Sequence, residues 1–431
     1  MKEEAVLVFV YTDQDGDKLS ARQKELKDIV SSSGAHVAAI VSQELKAYAP
    51  QTLLGSGKVK ELSDMVKANE WDLVIFERSL TGSQRKNLQE AIDAKILDRV
   101  DVILDIFAQR ARTKKAKMEV YLAQLEYRLP RLRGYGEALS RQGGGVGSRG
   151  PGEQKLETDR RAIQSQIRSI RTKLEKLSRQ SEQAAKKRRS GPLPLVALVG
   201  YTNVGKSTLM NQILSLFGAA SSEDHEVYAD DRLFATLDTA TRRIQAEGEP
   251  AFLLADTVGF IHDLPDKLVP SFESTLSEVQ AADLLLLVVD SSNPAYEEEI
   301  DVVTQTLRRQ GGPAPILFLM NKSDRDRPPL VTERDRTLRI SAKDPSSVKE
   351  LMARLLQALY GEAEEVHLLI PYRTIGDLQD FRESIQVLKE WGDREGLHWW
   401  ARGRKKIFSS YLSKNPSIER RKPPPEGNEA R

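Results

Sequence analysis

Leu195-Val-Ala-Leu-Val-Gly200-Tyr201-Thr202-Asn203-Val204-Gly205-Lys206-Ser207-Thr208 is the stretch that decides the fold of this chain. Residues 195–199 form an apolar run that reads as a buried strand, and the spacing of apolar residues from Leu209 onward reads as a helix. Between them stands a complete Gly-x-x-x-x-Gly-Lys-Ser loop in its strand–loop–helix context. Its glycines let the backbone amides from Gly200 to Thr208 converge on phosphate oxygens, and the helix start adds a favourable dipole. Lys206 is expected to neutralise the β- and γ-phosphates of a nucleotide, and the Ser207 hydroxyl to ligate Mg²⁺.

Working outward, residues 251–255 predict a second strand, which runs into Asp256-Thr257-Val258-Gly259. Asp256 can hold Mg²⁺ through water, and the Gly259 amide can sense a γ-phosphate. Between the two motifs lies Leu233-Phe234-Ala235-Thr236-Leu237-Asp238-Thr239, a polar segment expected to touch the nucleotide. A switch threonine is required here, so that its hydroxyl reaches the metal only when γ-phosphate is present. Thr236 is favoured, with Thr239 and Thr241 as alternatives. The catalytic set is therefore Lys206, Thr236 and Gly259, and the metal set Ser207, Thr236 and Asp256.

The base readers separate guanine from adenine. The strand at 316–320 leads into Asn321-Lys322-Ser323-Asp324. The Asp324 carboxylate can accept from guanine N1–H and N2–H₂; adenine lacks that pair, and an unmade buried charged acceptor costs at least ~1–3 kcal/mol. A strand at 338–340 then leads into Ser341-Ala342-Lys343, whose backbone can cap guanine O6. In this order the motifs imply a GTP/GDP site with Mg²⁺ and GTP hydrolysis. Phe260 follows Gly259 where a water-orienting glutamine could stand, and its ring cannot hydrogen-bond the attacking water. Slow intrinsic hydrolysis, accelerated by a partner, is the expectation.

The chain has 431 residues, enough for two to four domains, and no cysteine, which excludes disulfides and thiolate chemistry. No apolar run approaches the ~18–20 residues that span a bilayer; the N-terminus has no signal-peptide pattern, so a cytoplasmic protein is expected. A monomer is a separate expectation. The net charge of +2 conceals an asymmetry: residues 110–189 hold 22 Lys/Arg against 8 Asp/Glu. An excess this large points to a polyanion partner, foremost nucleic acid, against the plainer alternative of a solvated helical face.

That basic stretch carries apolar residues at heptad spacing twice, at Met118, Leu122, Leu125, Leu129 and Leu132 and at Ile163, Ile167, Ile170, Leu174 and Leu177. Two such helices predict an antiparallel helical hairpin over 108–190, with Pro130 kinking or ending the first arm. The Gly-rich connector at 134–152 carries Arg141 and Arg149, with Lys155 just beyond, and reads either as a probe for RNA or as a flexible linker.

Residues 1–107 alternate apolar runs (5–11, 36–41, 73–76, 100–104) with helical patterns, which predicts an N-terminal α/β domain with a mostly parallel sheet. A P-loop GTPase domain of Ras-like α/β type is expected at 191–361. A small C-terminal α/β domain follows at 362–412, with a strand at 366–370, a helix at 377–391 and a segment at 398–408. Residues 413–431 read as a tail without regular structure. Gly55-Ser-Gly57-Lys58 before a helical pattern is either a second phosphate site or a tight turn with a surface lysine. Gly145-Val-Gly147-Ser-Arg-Gly150 matches a dinucleotide fingerprint but lacks a preceding strand, so it is rejected. Trp391, Trp399, Trp400 and the basic run 402–406 are either a contact surface or core beside a basic edge.

The motifs together resemble the HflX family of ribosome-associated GTPases, within the Obg–HflX superfamily. The resemblance covers about residues 5–410. It rests on Leu54-Gly-Ser-Gly-Lys-Val-Lys-Glu61, Ala123-Gln-Leu-Glu-Tyr-Arg-Leu-Pro-Arg131, the specific run from Gly143 to Arg161, Leu233-Phe-Ala-Thr-Leu-Asp238 and Asp256-Thr-Val-Gly-Phe-Ile261. It implies binding to the large ribosomal subunit and its RNA, splitting or rescue of stalled ribosomes under stress, and subunit-stimulated hydrolysis. It also implies entry of the 134–152 loop near the peptidyl-transferase centre, and ATP at the N-terminal domain. Thr239-Ala240 stands where the family pattern has a Pro-Thr pair. A subunit-assembly GTPase and an ATP-dependent RNA-remodelling protein are the alternative functions.

Overall fold

The computed structural model describes residues 3–12, 19–132, 151–189, 193–218, 240–257, 259, 279–309, 314–325 and 336–421. The chain divides into two compact units. The first contains β1 (Glu4–Tyr11), α1 (Leu19–Ser33), β2 (His36–Glu44), α2 (Ser56–Asn69), β3 (Leu73–Phe76), α3 (Gly82–Ala91), β4 (Lys95–Asp98), α4 (Arg99–Arg110), α5 (Lys114–Arg128) and α6 (Pro151–Arg189). Its four strands form a parallel sheet in the order β2-β1-β3-β4. Residues 5–10 of β1 are all buried, as a central strand covered on both faces must be.

Two differences from the sequence reading have local causes. The strand expected at 100–104 is the interior of α4, and the fourth strand is the shorter Lys95–Asp98. Asp98 accepts from the Asp101 amide while Asp101 accepts from the Asp98 amide, a capping box that starts the helix just before the apolar run. The heptad residues do meet: Leu122, Leu125, Ile167 and Ile170 form a buried cluster flanked by Met118, Leu129, Ile163 and Leu174. Glu126 pairs with Arg171 at 2.7 Å beside this seam.

The second unit contains β5 (Leu195–Gly200), α7 (Lys206–Phe217), β6 (Ala240–Ile244), β7 (Phe252–Asp256), β8 (Leu284–Asp290), α8 (Tyr296–Arg309), β9 (Ile316–Asn321), β10 (Thr337–Arg339) and α9 (Pro345–Tyr360). These strands form a six-stranded sheet in the order β10-β9-β8-β5-β7-β6, parallel except for β6. An antiparallel sheet follows, in the order β12-β13-β11-β14. It is built from β11 (Ala363–Ile370), β12 (Gln386–Gly392), β13 (Leu397–Arg404) and β14 (Glu419–Arg421), with α10 (Gln379–Glu383) and α11 (Lys405–Lys414).

Here too the sequence reading needs correcting. The stretch expected as a helix at 377–391 contains only α10 before it becomes β12, because Gln386–Gly392 pairs along β13. The tail expected to lack regular structure contributes β14, which pairs with β11; Arg420 also pairs with Glu364 at 3.1 Å. Trp399 is 1% exposed, so the core reading holds for that tryptophan. Among the described residues no helix is long and apolar enough to cross a membrane.

Candidate nucleotide-binding site

The chain leaves β5 towards β7 on one side and β8 on the other, the switch point at which parallel sheets open a crevice at their carboxyl ends. Gly200 ends β5 there, and a Cβ on it would come within 2.2 Å of the Val288 carbonyl oxygen. The loop turns through Asn203 at φ 61° and Gly205 at φ 97° before α7 begins. Tyr201, Thr202 and Val204 are buried beneath it.

Lys206 bends back over its own loop, donating to the carbonyls of Gly200 at 3.1 Å and Tyr201 at 2.7 Å. Burial lowers its pKa to about 8, against the opposing pull of Asp256 and Glu299. Ser207 Oγ donates to Asp256 Oδ2 at 3.1 Å, and Asp256 is fully buried at the end of β7. Thr257 donates to the Leu198 carbonyl at 2.6 Å, which fixes the segment after β7 beside β5. Gly259 stands against the lysine: a Cβ there would lie 2.9 Å from Lys206 Nζ and 2.8 Å from Thr202 Cγ2.

The base-reading segments are spliced to this loop. Asn321 donates through Nδ2 to the Val204 carbonyl at 2.7 Å and accepts the Ala342 amide at Oδ1 at 2.8 Å. Lys322, at φ 60°, donates to the Asn203 carbonyl and to Asp290 Oδ2, both at 2.7 Å. Burial alone would raise the Asp290 pKa, but hydrogen bonds from Lys322 and Ser292 outweigh it and hold the carboxylate below its usual range. Asp324 is exposed and accepts from Ser341 Oγ at 2.7 Å, which keeps its pKa below the usual carboxylate value. Ser341 and Ala342 are buried, and Lys343 follows exposed.

The match to known proteins spans nearly the whole chain. Three family models apply: "GTP-binding GTPase N-terminal" over residues 20–108, "GTP-binding GTPase Middle Region" over 110–188, and "50S ribosome-binding GTPase" over 195–322. The GTPase HflX of Caldanaerobacter subterraneus is 42% identical over 398 residues, covering 92% of this chain and 90% of its own length. The GTPase HflX of Escherichia coli K12 is 39% identical over 403 residues, covering 91% and 92%. That of Flavobacterium psychrophilum is 44% identical over 324 residues, covering 75% and 76%.

The chain belongs to the HflX GTPase family. It binds GTP and GDP and hydrolyses GTP.

Within that frame the described residues bring together Gly200 to Thr208, Asp256, Thr257, Gly259, Asn321, Lys322, Asp324 and Ser341 to Lys343. Phe234, Ala235, Thr236, Leu237, Thr239, Val258, Phe260, Arg141 and Arg149 lie outside the described residues. Thr241 is in β6 opposite Ala255, and Lys155 lies on α6. The second phosphate site read at Gly55–Lys58 gains no support from the geometry. The Gly55 amide is taken by Gln43 Oε1 at 3.0 Å, and Lys58 pairs with Glu61 at 2.7 Å.

Two contributors were missed from sequence. Asp290 holds Lys322, and Ser291 Oγ donates to the Asn321 carbonyl at 2.7 Å. The available signal was their position directly after the apolar run 284–289, at the carboxyl end of a parallel strand.

Proposed function

We propose that this HflX-family GTPase binds the large ribosomal subunit and uses GTP to split or rescue stalled ribosomes under stress, with hydrolysis stimulated by the ribosome. The observation that carries the reading is the excess of 14 positive charges over residues 110–189. Charge of that density binds RNA by releasing condensed counterions. The family model over 195–322, described as a 50S ribosome-binding GTPase, supports the same partner. Arg141, Arg149 and Lys155 are the proposed RNA contacts. The protein acts in the cytoplasm as a monomer, in part ribosome-associated.

The site residues take the following roles. The amides from Gly200 to Thr208 wrap the phosphates, and Lys206 exchanges the carbonyls of Gly200 and Tyr201 for the β- and γ-phosphate oxygens. Asp324 accepts the guanine N1–H and N2–H₂ donors, while Asn321 holds the Ser341–Lys343 backbone where it can meet O6. Ser207 and Asp256 present adjacent hard oxygens 3.1 Å apart, a donor set that fits Mg²⁺ together with Thr236. When bound, Mg²⁺ neutralises charge on the phosphates. The Gly259 amide reports the γ-phosphate. Phe260 leaves the attacking water to be ordered by the ribosome, which makes intrinsic hydrolysis slow.

The test is GTP hydrolysis with and without purified large ribosomal subunits, with Asp324→Asn as control. Strong stimulation that the variant loses supports the reading. Robust basal hydrolysis without stimulation leaves a GTPase and removes the ribosomal role.

A further inference from the structure

The β6–β7 hairpin has two ends with different surroundings. At its root, Ala240 pairs with Asp256 in register, and the chain beyond Asp256 passes through Thr257 to Gly259 beside Lys206. At its tip, the segment between Ile244 and Phe252 is seated on the C-terminal antiparallel sheet. Arg404, the last residue of β13, donates from Nε and Nη2 to the two carboxylate oxygens of Glu249, both at 2.8 Å. Gln245 Nε2 donates to the Glu383 carbonyl at 2.9 Å. Gly248 sits at φ 70° so close to Gln386 that a Cβ would be 3.0 Å from the Gln386 Cβ.

We propose that the C-terminal sheet is a positioning element for GTP hydrolysis, acting through the Arg404–Glu249 pair on the β6–β7 hairpin. Glu249 and Arg404 stand at the tip and act through the hairpin root, where Asp256 and Gly259 stand. A paired strand transmits displacement along its axis, because a slip of its register would turn every side chain to the opposite face. Root and tip are separated by about 15 Å of strand. The two-pronged guanidinium–carboxylate contact fixes direction as well as distance. The Arg404 side chain is only 10% exposed, so the contact is shielded from competing water.

Helix α11, which follows β13, also meets α9: Lys406 Nζ donates to the Leu359 carbonyl at 2.9 Å, a contact that involves neither Glu249 nor Arg404. That contact provides the control. If the sheet were only attached to the GTPase fold, loosening either contact would have the same effect.

This inference rests on the GTPase activity, and the experiment separates the two. The full-length protein is compared with Glu249→Gln, Arg404→Lys, the exchanged pair Glu249→Arg with Arg404→Glu, and Lys406→Ala. Steady-state GTP hydrolysis gives kcat and KM, and titration with a fluorescent GDP gives affinity and serves as the folding check. The two single variants lower kcat about threefold to tenfold with KM and GDP affinity unchanged, the size expected for coupling through a packed element. The exchanged pair restores kcat, and Lys406→Ala leaves it at the parent value. An unchanged kcat in both single variants overturns the proposal. So does a parallel loss of GDP affinity, or an equal loss in Lys406→Ala. Absence of hydrolysis in the parent protein would instead overturn the GTPase reading itself.

Discussion

The Lys322 ammonium stands 2.7 Å from the Asp290 carboxylate and 2.7 Å from the Asn203 carbonyl, so one side chain joins β8, β9 and the phosphate loop. Lys322 holds φ at 60°, a conformation uncommon for a residue with a side chain, and the paired carboxylate helps keep it there. Asp290→Ala should therefore weaken GDP and GTP equally, because it loosens the cradle common to both. A hydrogen bond to a charged group contributes ~1.5–3 kcal/mol, and the lower end of that range corresponds to about a tenfold rise in Kd for this pair, whose side chains are each 17% exposed. Fluorescent-nucleotide titration measures it. A loss confined to GTP would show that Asp290 acts on the γ-phosphate end instead.

Gly259 leaves no room for a side chain, since a Cβ would stand 2.9 Å from Lys206 Nζ. Gly259→Ala should push the segment off the lysine and away from the γ-phosphate position. GDP needs no contact there. The expected result is GDP affinity within about twofold of the parent, and a non-hydrolysable GTP analogue bound at least about tenfold more weakly, the size of one charge-assisted hydrogen bond. Parallel losses for both nucleotides would contradict the assigned role.

The phosphate loop, the Asp-x-x-Gly segment and the base readers could be read from sequence because each is a contiguous motif whose backbone geometry its own residues impose. Gly200 and Gly205 announce positions where a Cβ meets the Val288 carbonyl or the Asn321 amide. Asp290 was marked only by its place after the apolar run 284–289, because its role arises when β8 and β9 pair and bring it opposite Asn321. The misread run at 100–104 shows the same limit differently. A short apolar stretch suits strand or helix equally, and the decision lay in the Asp98–Asp101 capping box outside it. In the C-terminal sheet, Gln386–Gly392 becomes a strand through partners far along the chain, and Glu419–Arg421 does likewise against β11.

Burial lowers Lys206 from its ordinary 10.5 to about 8. Between those values the unfolded chain holds a proton that the free folded protein has lost, so the stability of the free protein rises as pH climbs through that window. Bound phosphates restore the charged form, so nucleotide binding above pH 8 must take up a proton. Affinity for GDP should be flat near neutrality and fall towards tenfold per pH unit above about 8. Titrations below the range in which guanine loses N1–H, together with calorimetry in buffers of different ionisation heat, would detect the uptake. Lys206→Arg, which does not titrate in this range, should show no such slope; an equal slope there would assign the proton to another group.

Asp98 is fully buried and is the hub of a polar network in the first unit. It accepts from the Leu80 amide at 3.0 Å, from the Tyr127 hydroxyl at 2.8 Å and from Arg131 Nη2 at 2.5 Å. Arg131 lies just before the glycine-rich stretch, so the network anchors the end of the helical arm to the carboxyl end of β4. Burial, and then the Asp98 charge, keep the Tyr127 phenol protonated, with a pKa above the ordinary tyrosine value. Tyr127 therefore serves as a donor at any working pH. Removing the carboxylate takes away the shortest ion pair of the buried Arg131 guanidinium, leaving it Asp101 at 3.5 Å and the Leu80 carbonyl, and breaking a buried pair costs about 3–5 kcal/mol. Asp98→Ala should lower unfolding stability by that order in denaturant titrations. Tyr127→Phe removes one neutral donor to a charge that keeps its other partners, and should cost about 1–2 kcal/mol. Equal losses in the two variants would mean that the phenol, not the ion pair, holds the junction.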